Sequence, residues 1–142
     1  MLLANTLFLF GCLPFMFLGT LHIAYTLFDM RAPRKLVPYK SDVIDAMKSS
    51  TLALTKETDM WSAWVGFNIS HGVGLLAFSS IYAYLAYFHS DLLFSSTFLL
   101  VGAPAIAGIY LLLSKRYWFS IPALGSLIGL IFYISGITAN AL

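Results

Sequence analysis

Long stretches of this chain contain no charged side chain at all, and that fact limits the fold more than any other. Residues 1–28, 60–90, 92–114 and 117–142 carry no Asp, Glu, Lys or Arg. Overall 60% of the 142 residues are hydrophobic and 10% are charged, against about 25% charged in soluble domains. A soluble domain of this length has no interior large enough for that much apolar surface. Crossing a bilayer takes roughly 20 apolar residues as helix. Four segments meet that requirement, about 4–28, 60–88, 92–114 and 117–140. They are too long for strands, and they lack the alternation of a membrane barrel. The sequence therefore predicts one all-α domain, a bundle of four transmembrane helices.

Charge placement predicts the orientation. Arg31, Arg34, Lys35, Lys40, Lys48 and Lys56 lie between spans one and two, and Lys115 and Arg116 lie between spans three and four. The amino terminus, the connection at 89–91 and the carboxyl tail have no basic residue. The positive-inside rule then puts both basic loops in the cytoplasm and both termini outside it. Span one is not read as a signal peptide, because no Lys or Arg precedes Arg31. Phe10-Gly11-Cys12 resembles a lipoprotein cleavage box, but the same missing charge argues against it. Cys12 is the single cysteine, so no internal disulfide is expected.

The polar stretch 29–59 begins with Pro33 and Pro38, which favour turns or extended chain. Ser41 follows as a helix N-cap, with Asp42 and Asp45 in the first turn. Val43, Met47 and Leu54 recur at roughly helical spacing, which predicts a short helix on the cytoplasmic interface. A solvated loop is the alternative. Trp61 and Trp64 mark the inner edge of span two, and Tyr82, Tyr84 and Tyr87 its outer end. Pro14 in span one and Gly102-Ala103-Pro104 in span three predict bends. Gly125-x-x-x-Gly129 in span four permits close helix packing.

Polar and ionisable residues inside a span are site candidates by default. Span two places Trp61, Trp64, Asn68, His71 and Leu75 on one face, and span one does the same with Leu18, His22, Tyr25 and Asp29. His22 lies about 10 Å inside Asp29 and His71 about 15 Å inside Trp61 at the helical rise. The difference, roughly 5 Å, is small enough for tilt or long side chains to close. His22, Tyr25, Asn68 and His71 are thus expected to line one cavity, with Trp64 at its edge and Tyr110 of span three entering from the same side.

His22 and His71 are the candidate catalytic groups, since histidine titrates near neutrality and a neighbouring Asn or Tyr sets its tautomer. Trp64, Asn68, Tyr25 and Tyr110 are candidate ligand-binding residues. The plainer alternative makes both histidines interhelical hydrogen-bonding groups that fix the bundle. A structural metal site wants four ligands and a catalytic one three; no carboxylate lies within a span and Cys12 is about 15 Å further out than His22. No metal is therefore assigned. A bis-histidine haem needs only two ligands, but on opposite sides of one iron. The cofactor is left unassigned, and nothing suggests nucleic acid.

The run L-T-K-E-T-D-M-W-S-A-W-V-G-F-N-I-S-H-G-V-G, residues 54–74, resembles the core of a group of uncharacterised bacterial four-span membrane proteins with an M-W-x-A-W-x-G-F-N-x-S-H motif. L-H-I-A-Y-T at 21–26 sits where that pattern places a histidine and a tyrosine. The resemblance covers about half the chain. It implies the four-helix architecture and a bacterial inner membrane, and it supplies no substrate. Three functions follow as expectations. The first is a membrane protein whose polar pocket binds or transforms a lipophilic small molecule. The second is an accessory or assembly subunit of a larger membrane complex, or a homo-oligomer, docking through the glycines of span four and the 29–59 loop. The third, a transporter or channel, is disfavoured because no carboxylate is buried in a span.

Overall fold

The computed structural model describes residues 2–142. It is all-α, with α1 at Leu2–Arg31, α2 at Ser41–Ser49, α3 at Met60–Phe88, α4 at Ser90–Ser95, α5 at Thr97–Tyr117 and α6 at Ser120–Ala141. Among the described residues there is no strand, only an isolated bridge between Thr51 and Asp59. Helices α1, α3, α5 and α6 are each long and apolar enough to cross a membrane. Large apolar side chains such as Phe17, Phe67, Phe98 and Leu112 stay exposed on them. Exposed apolar surface on that scale suits lipid rather than water. The protein is a membrane-embedded four-helix chain.

Several boundaries differ from the sequence reading, each for a local reason. Span three was expected from residue 92, yet α5 begins at Thr97. Ser96 is extended there, and its hydroxyl accepts from the Leu99 N–H at 3.4 Å, capping α5 and separating it from α4. The short helix in the polar stretch forms, but Ser41 is its first helical residue and Lys40 is the cap position. It buries Ile44 and ends at Ser49, so Leu54 lies outside it and is exposed. Asp59 caps α3: its carboxylate accepts from the Ser62 N–H at 2.7 Å and the Ser62 hydroxyl at 3.2 Å. The N–H donors hold its carboxyl below its ordinary value of 3.8. Both Pro14 and Pro104 are accommodated within continuous helix.

The chain divides into two compact units. The first comprises residues 1–18 and 75–142, so all four long helices contribute to it. Its core joins Phe8, Cys12 and Phe15 of α1, Tyr82 of α3, Ala103 and Ala107 of α5 and Tyr133 of α6. Tyr82 was expected at the outer interface; it is instead buried, and its hydroxyl donates to the Leu99 carbonyl at 3.0 Å. A buried phenol needs such a partner.

The glycines of α6 explain how closely α1 approaches it. A methyl group at Gly129 would lie 2.5 Å from Phe15 Cε2 and 3.1 Å from the Gly11 carbonyl oxygen. One at Gly136 would lie 2.6 Å from Phe8 and 3.2 Å from the Ala4 carbonyl. The Gly125-x-x-x-Gly129 face is therefore occupied within the chain by α1, which corrects the expectation that it serves as an outward docking surface. Tyr133 completes this contact. Its hydroxyl donates to Cys12 Sγ at 3.4 Å, and Cys12 in turn donates to the Phe8 carbonyl at 3.2 Å.

The second unit is residues 19–74, the end of α1, the polar stretch with α2, and the start of α3. Here α1 and α3 also approach closely. A Cβ at Gly72 would sit 2.5 Å from Ile23 and 3.0 Å from the Gly19 carbonyl. That contact sets the two helices side by side where the histidines lie.

Candidate functional site

His22 of α1 and Asn68 and His71 of α3 come together inside the second unit. His22 Nε2 lies 2.8 Å from Asn68 Oδ1. The His22 and His71 rings meet edge to face, with centroids 4.8 Å apart and planes at 61°. Phe67 stacks on the other histidine, its centroid 6.2 Å from that of His71. Asn68 is buried, while both histidines are partly buried.

The hydrogen bonds determine which way each group points. Asn68 Nδ2 donates to the Trp64 carbonyl at 2.7 Å. A carbonyl oxygen only accepts, so the amide nitrogen must face Trp64 and the amide oxygen must face His22. Asn68 Oδ1 is also only an acceptor, so His22 Nε2 must carry the hydrogen. In the neutral imidazole the acceptor lone pair then resides on Nδ1. One backbone carbonyl thus fixes the tautomer of a histidine on another helix. This arrangement gives the site an acceptor at Nδ1 of neutral His22 and a second imidazole in ring contact.

The remaining residues of the expected cavity are placed differently. The Tyr25 ring faces the Lys35 ammonium, 5.6 Å from its centroid, at the end of α1. Trp64 contributes its carbonyl to Asn68, while its ring stacks on Trp61 at 5.2 Å. Lys48 of α2 lies 5.5 Å over the Trp61 ring, tying the short helix to the start of α3. Tyr110 belongs to the first unit, where its ring neighbours Phe15 at 6.1 Å and Trp118 at 6.4 Å.

The metal question can be put to the geometry. Among the described residues no group of three or more His, Cys, Asp or Glu converges. Two trans metal–imidazole bonds of about 2.0–2.1 Å would hold ring centroids roughly 6 Å apart, with the macrocycle of a haem between them. The two rings stand 4.8 Å apart in mutual contact. As arranged, they do not fit that group.

Asp29 is the functional-looking residue that sequence reasoning missed, having served there only as a depth marker. It is fully buried. Its Oδ1 accepts from the Arg34 and Lys35 N–H groups at 2.8 and 2.9 Å, and its Oδ2 accepts from Leu36 N–H at 2.7 Å. The signal for it was an acid at a helix end just before a proline-containing, basic turn. His22, Thr26 and Asp29 form one inward stripe on α1, with the Thr26 hydroxyl donating to the His22 carbonyl at 2.8 Å.

No protein-family model matches the sequence, and no curated protein or solved structure matches it either.

Proposed function

We propose that this protein is a small integral membrane protein in which His22, Asn68 and His71 form a polar site for a lipophilic small molecule, bound or transformed there by acid–base chemistry. The observation that carries the reading is the locked His22 tautomer beside a second imidazole. A group that served only to join helices needs one hydrogen bond; here the cluster also holds a lone pair at Nδ1 and a neighbouring ring that can exchange a proton with substrate. His71 and His22 are the candidate catalytic groups, Asn68 orients His22, and Trp64 orients Asn68. Tyr25 and Tyr110 are not part of this reading.

The proposal includes orientation and location. Both basic loops lie in the cytoplasm and both termini outside it, in a bacterial inner membrane; the loop charges and the motif at residues 54–74 support this. The short helix α2 then lies along the cytoplasmic interface. Its apolar Ile44 faces inward and Lys48 reaches the Trp61 ring, which is how an interfacial helix is held.

The second reading is an accessory subunit of a larger membrane complex, in which the same histidines are glue. The hydrogen bond between His22 and Asn68, one on each of two helices, favours it. Native mass spectrometry of the purified protein with its absorption spectrum separates the two. The pocket reading expects a co-purifying small molecule in the wild type that is lost from folded His22→Ala and His71→Ala variants. Retention of every bound species by both variants contradicts it.

A further inference from the structure

We propose that the outer face of α1 at residues 24–31, with the turn that follows it, is a binding site for a single anionic phospholipid. Ala24, Leu27, Phe28, Met30 and Arg31 line an open groove of about 510 Å³. Ala24, Leu27, Phe28 and Arg31 recur at three- and four-residue spacing, one stripe of the helix, on the side away from His22, Thr26 and Asp29. Leu27, Phe28 and Met30 are exposed. The groove is thus apolar along its length and ends in a guanidinium. An acyl chain suits the first part, and a phosphate suits the second, which can take two parallel N–H donors from arginine.

Charge around the groove points to the same occupant. Residues 30–41 contain Arg31, Arg34, Lys35 and Lys40 and no acid. The nearest carboxylate, Asp29, is turned inward, where three backbone N–H groups occupy it. Those same bonds fix the turn that carries Arg34 and Lys35, so the cations are presented from ordered backbone. Basic clusters directly beside a membrane span attract anionic lipid, and here the groove on α1 ends at Arg31, the first residue of one. In the other basic pair Arg116 is engaged by its neighbour, its Nε donating to the Tyr117 hydroxyl at 3.1 Å.

The test is native mass spectrometry of the full chain in detergent, titrated with phosphatidylglycerol or with phosphatidylcholine of the same acyl chains. Phosphatidylglycerol should bind at one per chain and phosphatidylcholine much more weakly. The double variant Arg31→Gln/Arg34→Gln should weaken phosphatidylglycerol binding at least about tenfold, the scale of a lost charge-assisted contact. Phe28→Ala should weaken it as well, and Lys115→Gln/Arg116→Gln should leave it unchanged. Equal binding of the two lipids, equal loss in both double variants, or full displacement by the water-soluble glycerophosphoglycerol headgroup would each overturn the proposal.

Discussion

Asn68 shows how a single residue turns an apolar helix pair into a defined chemical environment. Its amide has one acceptor face and one donor face, and the Trp64 carbonyl at 2.7 Å takes the donor. Nitrogen-15 spectroscopy of ring-labelled protein should therefore find Nε2, not Nδ1, carrying the hydrogen of the neutral His22 ring. In Asn68→Ala the tautomers should mix. Asp29 makes the corresponding structural case. Asp29→Ala removes the carboxylate that accepts from three backbone N–H groups of the following turn, and the loss should be about 1–3 kcal/mol. Asp29→Asn should fall between the two in equilibrium unfolding in mixed micelles. At this scale the sequence was only partly legible. The histidines and Asn68 could be matched because helix periodicity and depth are arithmetic. Tyr25 shares that periodicity with His22, but its ring goes to Lys35. The bond between Tyr133 and Cys12 joins residues far apart in the chain, and nothing local announces it.

Elements are decided by charge-free length and by what stops each helix. The four spans were readable because hydrophobic runs of this length have no other stable form. The break at Ser96 was not, since it depends on one serine hydroxyl in an apolar run. Close helix contacts give a sharp test. Gly129→Ala must displace the buried Phe15 ring or the backbone at Gly11, and should destabilise by about 1–3 kcal/mol. Gly108→Ala meets nothing within 4 Å and should be neutral or slightly stabilising in the same unfolding assay. The cap of α3 gives a pH test. Because folding lowers the Asp59 pKa below 3.8, its contribution is complete above that value and is lost as pH falls through the folded-state pKa. Asp59→Asn should thus melt below the wild type at neutral pH, with the gap closing as pH drops beneath about 4.

For the whole molecule, four spans with basic residues confined to two connections make orientation testable on its own. In intact bacterial cells a membrane-impermeant maleimide should label Ser95→Cys directly. It should label Thr51→Cys only after permeabilisation. Cys12 is fully buried and should not react in either case. The opposite pattern would invert the topology while leaving the helical fold intact. The central claim concerns the histidine cluster and is best tested where packing and chemistry separate. His71→Phe keeps an aromatic ring against His22 and Phe67 but removes both ring nitrogens. The decisive measurement is the molar amount of small molecule extracted from wild type and His71→Phe purified side by side with matched thermal unfolding. The account predicts a stoichiometric lipophilic compound in the wild type and its loss from His71→Phe. Equal amounts in the two proteins would contradict it and leave the cluster a joint between helices.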